Sequence, residues 1–164
     1  MIFAEVRSRM RDMAGIAALC RAAEVVARAE GATEPAAEHF VLAALNMTDD
    51  SAARVWTALG QSPESFRAAI GGQFADALAT IGIDADAGDA EALPEARSPG
   101  LFRASGSGQA LLQAMAAAKR RRTPFRAAEV LAAAATLRHG VVPRALRRLE
   151  ITPEQLAAAA AAMG

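Results

Sequence analysis

Ala36-Ala37-Glu38-His39-Phe40-Val41-Leu42 and Ala127-Ala128-Glu129-Val130-Leu131 are the two stretches on which the reading of the fold turns. The glutamate of the second stands 91 positions after the glutamate of the first. Further on, Leu59 and Leu149 are 90 positions apart, and so are Ser62-Pro63-Glu64 and Thr152-Pro153-Glu154. A fixed offset carried through several unlike signals marks an internal repeat, and each copy is one supersecondary unit that needs its neighbour to bury its apolar face.

Each copy reads as four helices. In the first, Ile16, Leu19, Ala23, Val26 and Ala27 form one stripe of an amphipathic helix over about 12–30, which Gly31 ends. Thr33-Glu34-Pro35 is expected to start the next helix, with Pro in its first turn. That helix stops at the polar stretch Thr48-Asp49-Asp50-Ser51. A third helix covers Ala52 to Leu59 before Gly60, and Ser62 is expected to cap the fourth, with Pro63 at its first position. The second copy repeats this order. Helices are expected over Gly108–Arg122, Ala127–Leu137 and Val141–Leu149, and Thr152 and Gln155 are spaced as a capping box for the last.

The expected organisation is one compact all-helical domain: an N-terminal extension over 1–11, a first repeat over 12–82, an acidic linker over 83–103 and a second repeat over 104–164. The linker, rich in Asp, Glu, Gly, Pro and Ser, has no sustained apolar period and is expected to stay mobile. Alanine supplies 45 of the 164 residues, and Tyr is absent. Ala is the best helix former, whereas strands favour β-branched and aromatic residues, so composition agrees with periodicity. Net charge is zero, but residues 1–100 carry −7 and residues 101–164 carry +7.

Several chemistries find no signal. One cysteine, Cys20, rules out an internal disulfide and a four-thiolate zinc site. His39 and His139 stand far apart, without an HExxH or CxxC, so no metal or other cofactor is expected. No GxSxG elbow and no GxxxxGK[ST] loop occurs, so neither hydrolase nor ATPase activity is expected. The first dozen residues carry Glu5, Arg7, Arg9, Arg11 and Asp12 rather than an apolar signal core. With no apolar run long enough to span a membrane, the chain is expected in the cytoplasm.

With its repeated helix–turn, the Ala-Glu-His-Phe-Val-Leu motif and the Leu59-Gly60 stop, the chain resembles the double-repeat N-terminal domain of the Clp unfoldases. The resemblance covers about residues 10–164. It departs in the second copy, where Val130 stands for the motif His and Glu150 for the motif Gly. It implies two four-helix repeats about a pseudo-twofold axis, standing alone without ATPase modules. It also implies a non-catalytic, chaperone-associated role in Clp-type proteolysis, as adaptor, decoy or accessory subunit. Implied partners are Clp unfoldase or protease components, adaptors and substrate peptides, including arginine-bearing ones.

Under that resemblance, Glu38 and Glu129 are the carboxylates expected to fork to a guanidinium; their plainer role is to complement a helix N-terminus. Met13 and Ala104 stand near the positions where the family supplies phosphate donors. Ser105 and Ser107 are the nearest substitutes, and phosphoarginine itself is expected to bind weakly. Phe3 and Phe102, each ahead of a repeat, are candidate exposed contacts. Lys119, Arg120, Arg121, Arg122 and Arg126 form a basic patch suited to an acidic partner or to the acidic linker. Two other readings remain beside the leading one. One is a small-molecule binder that sequesters cyclic-peptide natural products. The other is a nucleic-acid binder using the basic half, although no aromatic residues interleave with its arginines.

Overall fold

The structure is a computed structural model, and it describes residues 2–82, 102–118 and 123–163. Most of the expected linker, 83–101, and the basic residues Lys119, Arg120, Arg121 and Arg122 lie outside the described residues.

Among the described residues the chain is all-helical, with eight helices and no strand. They are α1 (Ile2–Ala29), α2 (Ala37–Leu45), α3 (Ser51–Ala58) and α4 (Pro63–Thr80), then α5 (Gly106–Ala118), α6 (Ala128–Ala134), α7 (Val141–Arg148) and α8 (Pro153–Ala162). None is long and apolar enough to cross a membrane.

The stops between helices follow local chemistry. After α3, Gly60 N–H donates to Thr57 O and Gln61 N–H to Trp56 O; after α7, Glu150 N–H donates to Arg147 O and Ile151 N–H to Leu146 O. This is one Schellman pattern, used twice at an offset of 90. It needs a left-handed residue. Gly60 (φ 76°) supplies it freely, whereas Glu150 (φ 58°) supplies it against the steric penalty on a Cβ. At α8, Thr152 Oγ1 accepts from Gln155 N–H and Gln155 Oε1 accepts from Thr152 N–H, the expected capping box.

Two helix starts and one cap bond are among the points that differ from the sequence reading. Helix α1 starts ten residues early, so the expected extension over 1–11 is its first turns. No Gly or Pro interrupts residues 2–14, and Glu, Arg and Met are good helix formers. Helix α2 starts at Ala37, past Pro35, because His39 Nδ1 accepts the Ala36 N–H at 2.8 Å and fixes the cap there. Ser62 holds the N-cap position of α4 without a side-chain cap bond; its carbonyl instead accepts from Trp56 Nε1 at 2.9 Å.

Helix α2 is the axle of the core. All nine of its residues are buried, and it packs on α1, α3, α4, α5, α6 and α7. Around it lie Leu19, Trp56, Phe66, Leu111, Leu131 and Leu156, all fully or nearly fully buried. Trp56 and Phe66 meet edge to face at 5.6 Å. Helix α5 approaches the turn before α2 closely. A Cβ on Gly108 would lie 2.5 Å from Pro35 O, so only glycine admits the contact.

Candidate functional site

The start of α2 gathers most of the residues singled out from sequence. Ser105 N–H donates to Pro35 O at 3.1 Å, and Ser107 Oγ accepts from Ala37 N–H at 3.2 Å. Ser105 Oγ lies 3.3 Å from Ser107 Oγ and accepts weakly from Gly108 N–H at 3.4 Å. These hydroxyls therefore join α5 to α2 and satisfy helix-start N–H groups. They have a structural role at this junction, where the sequence reading makes them substitute phosphate donors. Of the positions expected to hold such donors, Met13 is exposed on α1 and Ala104 is buried. Phe102 packs edge to face on Phe40 at 6.2 Å, so it is an anchor with a partly exposed rim.

Glu38 and Glu129 hold matching second positions in α2 and α6, but their surroundings differ. Glu129 Oε1 accepts from Arg126 N–H at 3.1 Å, so it is committed to the start of its own helix. The expectation of a free guanidinium-binding carboxylate fails there. In α2 the corresponding acceptor is His39, which leaves Glu38 without that task. Glu38 is 8% exposed, and among the described residues its carboxylate has no hydrogen-bond or ion-pair partner.

Glu38 lines a cavity of about 380 Å³, together with Glu30, Ala32, His39, Arg67, Ile70, Gly71 and Phe74. The turn after α1, the start of α2 and the middle of α4 form its walls. Its other charges are matched: Arg67 Nη1 lies 2.7 Å from Glu30 Oε1, and His39 Nε2 lies 3.3 Å from Glu30 Oε2. Because Nδ1 of His39 accepts the Ala36 N–H, the ring proton sits on Nε2, toward Glu30. Glu38 is the one carboxylate of the lining without a partner among the described residues. Ile70 and the exposed ring of Phe74 offer an apolar wall beside it. Sequence reasoning named Glu38 but missed Glu30, from the turn after α1, and Arg67 and Phe74, from α4; none shares a motif with it.

The remaining expected contacts lie elsewhere. Arg126, the one described member of the basic patch, donates to Met163 O and holds the end of α8, a structural role. Phe3 is 82% exposed near the start of α1. It lies 27 residues before Glu30, which is roughly 40 Å along the helix at about 1.5 Å per residue. Phe3 and Glu38 therefore belong to separate surfaces. Cys20 is half-buried, and burial first, then Glu24, pushes its thiol upward while Arg21 pulls it partly back, so thiolate chemistry is suppressed. Among the described residues no group of three His, Cys, Asp or Glu side chains is placed to hold a metal ion. Compared with known protein families, curated proteins and solved structures, the chain matches none.

Proposed function

We propose that this chain is a non-catalytic recognition domain for cationic peptide side chains, built from two four-helix copies like a Clp N-terminal domain and serving Clp-type proteolysis. The observation that carries the ligand reading is Glu38: a glutamate more than nine-tenths buried, without a partner among the described residues, on the wall of a cavity. Burying such a group is costly unless something answers its charge. A guanidinium does so with two parallel hydrogen bonds, and the Ile70–Phe74 wall suits the methylene stem of an arginine.

The two-copy reading is supported by helix order and by most of the packing, although the α2–α3 and α2–α5 contacts have no comparable counterpart in α6–α7 and α1–α6. Exchanging each helix with the one four places on carries α1–α2 into α5–α6, α2–α4 into α6–α8, α3–α6 into α2–α7, and α3–α8 into α4–α7. The α2–α6 contact maps onto itself, as expected for helices at a twofold axis. The offset of 90 between the Schellman stops agrees.

The test is calorimetry with an arginine-bearing peptide and its citrulline counterpart, which keeps the shape and loses the charge. The arginine peptide is expected to bind at least about ten-fold tighter, a difference of about 1.4 kcal/mol. Glu38→Gln is expected to erase that difference while leaving the melting midpoint equal or higher, since it removes a buried charge. Glu129→Gln should leave the preference intact. Equal binding of both peptides to the parent chain refutes the proposal. Tight binding of a cyclic peptide that is indifferent to Glu38→Gln would favour the small-molecule reading, which the cavity volume also admits. The link to proteolysis is tested separately, by whether the chain changes the rate at which a Clp protease degrades an arginine-tagged substrate.

A further inference from the structure

Helix α1 carries a second surface, unrelated to the cavity. Its buried residues are Leu19, Ala23 and Ala27, all in its C-terminal half. Before them, Phe3, Val6, Met10, Met13 and Ala17 follow one another at spacings of three, four, three and four, and all five are exposed. Phe3 is 82% exposed, Met10 65% and Met13 70%. At about 100° per residue these five share a strip roughly 80° wide, centred about 120° round the helix from the buried residues. The strip therefore faces away from the core and is not a frayed edge of it.

Its form identifies the occupant. A narrow strip with strict three–four spacing is the seam of a two-helix coiled coil, whereas a helix lying on lipid presents a broader apolar face. The positions that flank the strip on its two sides are Arg7 with Ala14 and Arg9 with Ile16; none is acidic. Glu5 and Asp12 lie on the other side of the helix, and Asp12 accepts from Phe125 N–H at 2.7 Å. A second copy is a poor occupant. Antiparallel pairing sets Arg7 and Arg9 either against themselves or against Ala14 and Ile16, and parallel pairing sets Arg9 against Ala14, so no pairing brings an acid to either arginine.

We propose that the N-terminal half of α1 docks an amphipathic helix of another protein, with apolar residues at coiled-coil spacing and acidic residues on both flanks. The seam supplies contact area: Phe3 is a rigid anchor, and the flexible Met10 and Met13 adapt to the facing side chains. Arg7 and Arg9 select the partner's charge. The arm is already helical, so the ordering cost falls on the partner alone.

The test uses two labelled peptides three heptads long, with Leu at the seam positions and either Glu or Lys at all flanking positions; each repels itself and stays single. Fluorescence anisotropy with the full chain should show the Glu peptide binding at least about 30-fold tighter at low salt. Met10→Ser with Met13→Ser should abolish that binding with the melting midpoint unchanged, because both side chains are exposed. Arg7→Glu with Arg9→Glu should reverse the preference, and Glu38→Gln should leave it untouched. Equal affinity for both peptides, or no binding of either, overturns the proposal. So does a dimer of the chain, or sedimentation with phosphatidylserine–phosphatidylcholine vesicles, that the double serine variant removes.

Discussion

Four consecutive N–H groups at the entry to α6 find their acceptors on side chains. Phe125 donates to Asp12, Arg126 to Glu129, Ala127 to Asp49 at 2.7 Å and Ala128 to Ser51 Oγ at 2.9 Å. Asp49 also accepts from Ser51 N–H and Ser51 Oγ, which ties the two acceptors together. Ser51, Ala127 and Ala128 are buried, so water does not replace a lost partner there. Ser51→Ala orphans the Ala128 N–H, at a cost of about 2 kcal/mol. Asp49→Ala removes a charged acceptor and orphans the Ala127 N–H, at about 3 kcal/mol. For a chain of this length each kcal/mol lowers the melting midpoint by roughly 2–4 °C, giving falls of roughly 4–8 °C and 6–12 °C. The double variant should fall short of the sum by about 1 kcal/mol, because each single change already damages the shared Asp49–Ser51 contact. Urea unfolding followed by Trp56, the sole tryptophan and fully buried, measures all three. A Ser51→Ala loss under about 0.5 kcal/mol, or strict additivity, would refute the reasoning.

Other outcomes follow from single positions. Glu150→Gly relieves a left-handed side chain at the end of α7, and after the entropy cost of glycine it should raise stability by about 0.5–1 kcal/mol, read as a higher melting midpoint. Gly108→Ala drives a Cβ to 2.5 Å from the Pro35 carbonyl, backbone that cannot turn aside, and should cost about 1–3 kcal/mol in the same melt. Cys20 should alkylate several-fold more slowly than a free thiol near pH 8, and its rate should keep rising above the pH where a free thiol levels off, because burial raises its pKa.

Helix number and order could be read from the chain because their signals are short-range. Gly60, the Thr152–Gln155 box, and Pro63 and Pro153 in first turns act on their own backbone neighbours. Ala-rich periodicity fills the segments between. The same local reading named Glu38 but gave Glu129 the same role, since both are second residues of matching helices.

What separates the two glutamates is set by neighbours distant in sequence. His39 takes the capping task at α2, so Glu38 is left to face α4, whereas Glu129 keeps that task at α6. Ser105 and Ser107 could not be known as structural until α5 lay against Pro35 and Ala37. The cavity joins Glu30, Glu38 and Arg67, and the entry to α6 is satisfied by Asp12 and Asp49 from α1 and the α2–α3 turn, 113 and 78 residues away. Sequence alone thus determined eight helices and their order among the described residues, because helix starts and stops depend on residues within one or two turns. Only the tertiary structure decided which polar groups are consumed in holding the helices together and which one, Glu38, is left without a partner among the described residues. Hydrogen-bond satisfaction in a buried interior depends on what the fold brings within about 3 Å, whatever the separation along the chain.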